Sequence, residues 1–299
     1  MRPVMTAVTV LSICAAAWCA VGCSEVGPAP VLPPPDETTT IVTPEPEPPI
    51  VTEETTPVQQ SKTATLTIVY DNNAPVGDSS TGLRTAWGFS CLIETTDAVV
   101  LFDTGGDGPT LMHNMSELGI DPTTIDIVVL SHFHSDHTGG LDALLDACTP
   151  DAVFVPQSFP ATFKSELAQR TRVIEVAGPT DITPQIRSTG EMGSAIIEQA
   201  LVIETGDGLA LITGCAHPGI VDIATRAAKQ GDLLLVLGGF HLKDSSDAQI
   251  ASVIAQLQQL GVRRAAPTHC TGDRGRALFA KTFGEKYVEV GLGSVLVID

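Results

Sequence analysis

Hydrophobic and polar positions alternate through "TATLTIVYDN", residues 63–72, and a two-residue period lays one face of a strand against a core. "GFSCLIET" (88–95) and "AVVLFDTGG" (98–106) continue as strands, rich in β-branched and aromatic residues. "GPTLMHNMSELG" (108–119) has helical spacing and a glycine stop. "IDIVVL" (125–130) is a short unbroken apolar run, suited to a strand covered on both faces. Thr138 stands where it can cap a helix over 139–148. A strand over 152–157, a helix around Ala161 to Arg170, and strands within 195–204 and 208–214 follow. From Pro218 the order is regular: helix, strand 232–239, helix 246–261, strand 262–269, helix from Arg274, strand 293–298. In helix 246–261, Ile250, Val253, Ile254, Leu257 and Leu260 form one apolar stripe. No internal repeat of fixed period is present. Strands first, then strand–helix alternation, predicts a layered α/β architecture with helices covering sheets.

The N-terminal residues carry neither pattern. Arg2 precedes an apolar run ending at "AVGC", which suits a secretory signal. Its end resembles the lipobox of bacterial lipoproteins, which implies lipidation at Cys23. Residues 24–62 are dominated by proline, threonine and glutamate, so they bury too little apolar surface to offset ordering entropy and predict an extended acidic tether. The expected organisation is a signal peptide over 1–23, a linker over 24–62 and a folded domain over 63–299. The domain is then exported and lipid-anchored to the bacterial cell envelope.

Of the 299 residues, 43% are hydrophobic and 17% charged, enough to bury a sizeable core. The formal net charge of -19 repels phosphate backbones, which argues against nucleic acid as a partner. The domain holds Cys91, Cys148, Cys215 and Cys270, and their spacing selects none of the three possible pairings.

The chain has seven histidines, and "HFHSDH" at 132–137 uses three of them. They fall on the loop after the strand 125–130, where α/β proteins place chemistry. His132 and His134, two apart, project the same way from extended chain. Asp136 and His137 follow as the backbone turns. Neutral imidazole and carboxylate are preferred ligands of zinc and similar divalent ions. His217, His241 and His269 each sit just past a predicted strand, so six histidines converge on one rim. His113, inside the helix 108–119, reads as structural.

His-x-His-x-Asp-His after a strand, with "FDTGG" upstream and single histidines downstream, resembles the metallo-β-lactamase superfamily over residues 63–299. The resemblance implies an αββα sandwich with a dinuclear centre at one edge. It implies that His132, His134 and His217 hold one ion, that Asp136, His137 and His269 hold the other, and that Asp103 orients a ligand histidine from behind. The superfamily usually has a bridging aspartate after the next strand; here His241 of "GGFHL" stands there, either binding one ion or facing substrate. "LFDTGGDG", "TGCAHPGIV", "GGFHL" and "PTHCTG" resemble a narrower branch of metal-dependent hydrolases. Its members are often labelled 7,8-dihydropterin-6-methyl-4-(β-D-ribofuranosyl)aminobenzene 5′-phosphate synthases.

The expected activity is metal-dependent hydrolysis of an ester, lactone, amide or phosphate-type small molecule. The cofactor is a pair of zinc ions, with iron, manganese and cobalt as alternatives, supplying hydroxide near neutral pH. Asp136 and His241 are the catalytic candidates, and Trp87, Phe89 and Lys243 the substrate candidates. A synthase-type transferase is the second reading, with Lys243, Arg263 and Arg264 as its candidate phosphate clamp. A non-catalytic metal- or ligand-binding lipoprotein is the third.

Overall fold

The alternation in the first strand has two destinations. In β1 (Ala64–Asp71), Ala64, Leu66 and Ile68 face a core between two sheets, while Val69 and Tyr70 face helices on the other side. Both faces are covered, so nearly every residue of β1 is buried. A computed structural model of the chain describes residues 62–77 and 82–299, together with Gly27. The segment 1–23 with Cys23, and the tether to residue 61 except Gly27, lie outside the described residues.

The first sheet contains β1, β2 (Phe89–Thr95), β3 (Val99–Phe102), β4 (Ile127–Val129), β5 (Ala152–Pro156), β6 (Val173–Val176) and the last strand, β13 (Val295–Ile298), in the order β13-β1-β2-β3-β4-β5-β6. From β3 to β6 all neighbours are parallel. The second sheet contains β7 (Thr180–Asp181), β8 (Ile186–Ser188), β9 (Leu201–Thr205), β10 (Gly208–Thr213), β11 (Leu233–Gly239) and β12 (Arg264–Thr268), in the order β12-β11-β10-β9-β8-β7. Here β10, β11 and β12 are parallel.

Helices close both outer faces. Against the first sheet pack α1 (Gly108–Glu117), α3 (Leu141–Ala147) and α4 (Ala161–Leu167), α2 (Ser135–Thr138) being a single turn between α1 and α3. Against the second pack α5 (Ile220–Ala227), α6 (Asp247–Gln259) and α7 (Gly272–Phe283). The result is a four-layer αββα sandwich. The α6 stripe is buried through Ile250, Ile254 and Leu257, each contributing about 1.5–3 kcal/mol. Ser246 and Gln249 close its start as a reciprocal cap.

Three expectations change. Thr138 does not cap α3: it ends α2 and donates to the His134 carbonyl at 3.1 Å, and Gly140 occupies the cap position. The strand expected within 195–204 begins only at Leu201: before it, Glu198 pairs with Met192 in an isolated bridge, and Gln199 donates to the Ser131 and Leu130 carbonyls. Phe89 is fully buried in the inter-sheet core, so it backs the site rather than touching substrate.

Candidate metal centre

The parallel strands β3, β4, β10, β11 and β12 all deliver their carboxyl ends to one edge of the sandwich. The residues that follow are Asp103, Ser131 to His137, Gly214 to His217, His241, and His269 with Cys270. Among the described residues, the non-glycine residues with positive φ are Asp103 (60°), Ala216 (59°), His241 (52°) and His269 (47°). All lie on these loops. This left-handed conformation is costly for residues with a Cβ and persists where surrounding contacts enforce it, typically at functional sites.

The histidines pack ring against ring. Centroids are 4.6 Å apart for His132 and His134, 4.6 Å for His132 and His217, 5.2 Å for His137 and His269, and 4.5 Å for His217 and His241. Hydrogen bonds behind the rings fix how they face. Ser131 Oγ donates to Asp103 Oδ2 at 2.7 Å, so its oxygen accepts from His132 Nδ1 at 2.8 Å. His137 Nδ1 donates to the same Asp103 Oδ2 at 2.7 Å. His217 Nδ1 donates to Glu198 Oε2 at 3.0 Å, and His269 Nδ1 to Asn72 Oδ1 at 2.7 Å. Every one of these rings keeps its Nε2 for the front.

The forward atoms converge. His132 Nε2 lies 3.0 Å from His134 Nδ1, near the roughly 3.3 Å between two nitrogens on one tetrahedral ion. Asp136 Oδ2 lies 3.6 Å from His137 Nε2 and 3.5 Å from His269 Nε2. His269 Nε2 is buried and, among the described residues, has no hydrogen-bond partner, an arrangement that costs free energy unless something else fills it. A cation fits this donor set.

Electrostatics hold His132, His137 and Asp136 in their binding forms. Burial, aided by the neighbouring His137, pushes His132 down to about 3. Burial, aided by His269, does the same to His137, also to about 3. Both rings are therefore neutral at pH 7. Burial pushes Asp103 up to about 7. Burial opposes ionisation of Glu198 too, but the hydrogen bond from His217 and the backbone donors hold it at about 2. Asp136 stays below the usual carboxylate range: burial works against it, and His269 and His137 outweigh that.

A model of the metallo-beta-lactamase superfamily matches residues 88–269. The chain belongs to the metallo-beta-lactamase superfamily. Within that superfamily it is 28% identical over 245 residues to a protein of Methanocaldococcus jannaschii named 7,8-dihydropterin-6-methyl-4-(beta-D-ribofuranosyl)-aminobenzene-5'-phosphate synthase, covering 66% of this chain and 83% of that protein. It also resembles the crystal structure of Tm1679, described as a metal-dependent hydrolase of the beta-lactamase superfamily. That likeness has a TM-score of 0.64 and 27% identity, over 78% of this chain and 98% of that one. The metallo-beta-lactamase fold protein YhfI of Bacillus subtilis shares the fold, with a TM-score of 0.58 and 16% identity over 79% and 99% of the two chains. The superfamily fold implies divalent metal binding.

Placed in the superfamily fold, His132, His134, Asp136, His137, His217 and His269 meet at one centre, with Asp103 behind both His132 and His137 rather than behind one ligand alone. His241 is exposed at the mouth and shares a donor group only with Cys215 and Cys270. Trp87 is 47% exposed and tilts over His269 at 4.9 Å, with Lys243 Nζ 4.6 Å from its ring. Arg263 and Arg264 stand at the opposite end of β12, where Arg263 pairs with Asp232 at 3.0 Å, so neither belongs to a clamp. His113 bonds the Gly82 carbonyl at 2.9 Å, away from the centre.

Sequence reasoning missed Glu198, Asn72, Ser131 and Cys215. Glu198 is the largest omission. Its carboxylate accepts from the backbone N–H groups of Cys215, Ala216 and His217, each at 2.9 Å. The left-handed turn at Ala216 lets three successive donors point at one anion.

Proposed function

We propose that this chain is a metal-dependent hydrolase acting on an ester, lactone, amide or phosphate-type small molecule at a dinuclear centre. His132, His134 and His217 hold one ion, and Asp136, His137 and His269 the other. One observation carries the reading: four histidines have Nδ1 tied to a dedicated partner while their Nε2 atoms face a common point. A structural or merely solvated cluster has no need of four such restraints. When bound, zinc or a similar ion polarises a scissile carbonyl or phosphoryl oxygen and lowers the pKa of water toward neutrality. The ionised Asp136 carboxylate accepts a hydrogen bond from the attacking water, and His241 at the mouth meets the substrate's leaving side. Trp87, about half exposed, supplies an apolar wall. The test is turnover by zinc-, iron-, manganese- and cobalt-loaded protein of ester, lactone and phosphodiester panels. Hydrolysis that disappears on chelation is expected; metal retention with no turnover in any panel would instead favour a non-catalytic binding protein.

A second reading, a synthase-type transferase, is favoured by the name of the Methanocaldococcus jannaschii relative. The pairing of Trp87 with Lys243 suits it as well, offering a stacking face beside a cation. Titration with a phosphorylated pterin analogue tests it, and absence of binding removes it. We further propose that residues 1–23 direct export and Cys23 carries a lipid anchor, with residues 24–62 as tether. The net charge of -19 supports a small molecule rather than nucleic acid as partner. Fractionation checks the anchor: Cys23→Ala is expected to leave the membrane fraction.

A further inference from the structure

Three groups of donors among the described residues each have geometry for an ion: Asp136, His137, Cys215 and His269; His132, Cys215 and His217; and Cys215, His241 and Cys270. Cys215 belongs to all three. Its sulfur is buried and lies 3.2 Å from His137 Nε2, close to the roughly 3.5 Å expected between a nitrogen and a sulfur ligand on one tetrahedral ion. We propose that the Cys215 thiolate is a ligand shared by both ions, standing where a bridging carboxylate is otherwise expected.

The charge balance favours such a group. Five neutral imidazoles and the Asp136 carboxylate offer two divalent ions a single negative charge, and His241 adds none. A thiolate between the ions supplies a second negative charge where their mutual repulsion is greatest. The unpartnered, buried Nε2 of His269 belongs to the same donor group as the sulfur. A neighbouring ion deprotonates a coordinating thiol outright, with the proton leaving to solvent.

The backbone is shaped to hold this sulfur in place. Glu198 anchors the Cys215 N–H at 2.9 Å. Gly239, the last residue of β11, is required there, since a Cβ would sit 2.4 Å from the Gly214 carbonyl oxygen and 2.6 Å from Cys270 Sγ. Cys270 and His241 share a donor group with Cys215, and Cys270 Sγ lies 3.5 Å from the Cys215 carbonyl oxygen. A soft bridging donor also sets metal preference, favouring zinc, cobalt or iron(II) over magnesium and calcium.

This inference rests on the dinuclear reading above, and cobalt substitution separates the two. Wild-type protein is expected to take up two cobalt ions and show a thiolate-to-cobalt charge-transfer band in the near ultraviolet. Cys215→Ser is expected to lose that band and one of the two ions. Cys215→Asp should regain the second ion without the band, and Cys270→Ser should keep the band. Should Cys215→Ser not fold, X-ray absorption of the wild type decides, with sulfur scattering at about 2.3 Å from cobalt. Two bound cobalt ions with neither band nor sulfur scattering would overturn the bridge and leave the hydrolase reading intact. A wild type that binds no cobalt would overturn both.

Discussion

Replacing Glu198 with alanine is the sharpest perturbation of the site that leaves every proposed metal ligand in place. Its carboxylate is fully buried and accepts four hydrogen bonds, from the backbone of Cys215, Ala216 and His217 and from His217 Nδ1. The variant orphans three buried backbone donors, each costing about 1–3 kcal/mol. Water entering the vacated space recovers part of this, so the net loss is about 4 kcal/mol, comparable with breaking a buried ion pair. For a domain of this size that corresponds to a fall in Tm of roughly 8–16 °C. Releasing His217 and Cys215 should also weaken metal binding by about 10–100-fold. Glu198→Gln retains one acceptor oxygen and should fall between wild type and alanine. Calorimetric melting with and without chelator, beside competitive metal titration, measures both effects. A Tm within about 3 °C of wild type, hence a loss near 1 kcal/mol, would refute the idea that this carboxylate organises the loop.

Two further outcomes follow from individual contacts. Asp103→Asn removes the anion that Ser131, and through it His132, shares with His137; both ions should bind about 10–100-fold more weakly, and a titration in which only one weakens would contradict the shared acceptor. Trp87→Ala removes the half-exposed ring over His269; steady-state kinetics should show KM raised about tenfold, the equivalent of roughly 1.4 kcal/mol of stacking, with kcat little changed, and an unaltered KM would exclude Trp87 from the substrate wall.

The histidines were legible in the sequence because each one ends a strand, and parallel strands bring their carboxyl ends to one edge. The apolar runs before His132, His217, His241 and His269 sufficed to place them together. The groups behind them were not legible, since Glu198 and Asn72 reach the site from segments with no metal-like spacing. Glu198 sits in a stretch whose apolar residues read as a strand, and while its backbone pairs with Met192 its carboxylate serves Cys215 and His217. Cys215 did carry a sign: it stands two residues before His217, the same spacing as His132 and His134. Four free thiols, all buried among the described residues, drew attention to pairing rather than to ligation. Phe89 misled for the opposite reason, because alternation in β2 marks it equally well as core. His241 in place of the usual bridging aspartate pointed to a change in the centre, and the proposed compensating thiolate lies on a different loop.

The most direct measurement is diffraction at the absorption edges of the resident metals from crystals of protein prepared without added metal. Two anomalous peaks are expected, one bonded to His132, His134 and His217 and one to Asp136, His137 and His269, with Cys215 Sγ between them. A single peak, or a pair of peaks away from the Nε2 atoms of these histidines, would contradict the dinuclear centre.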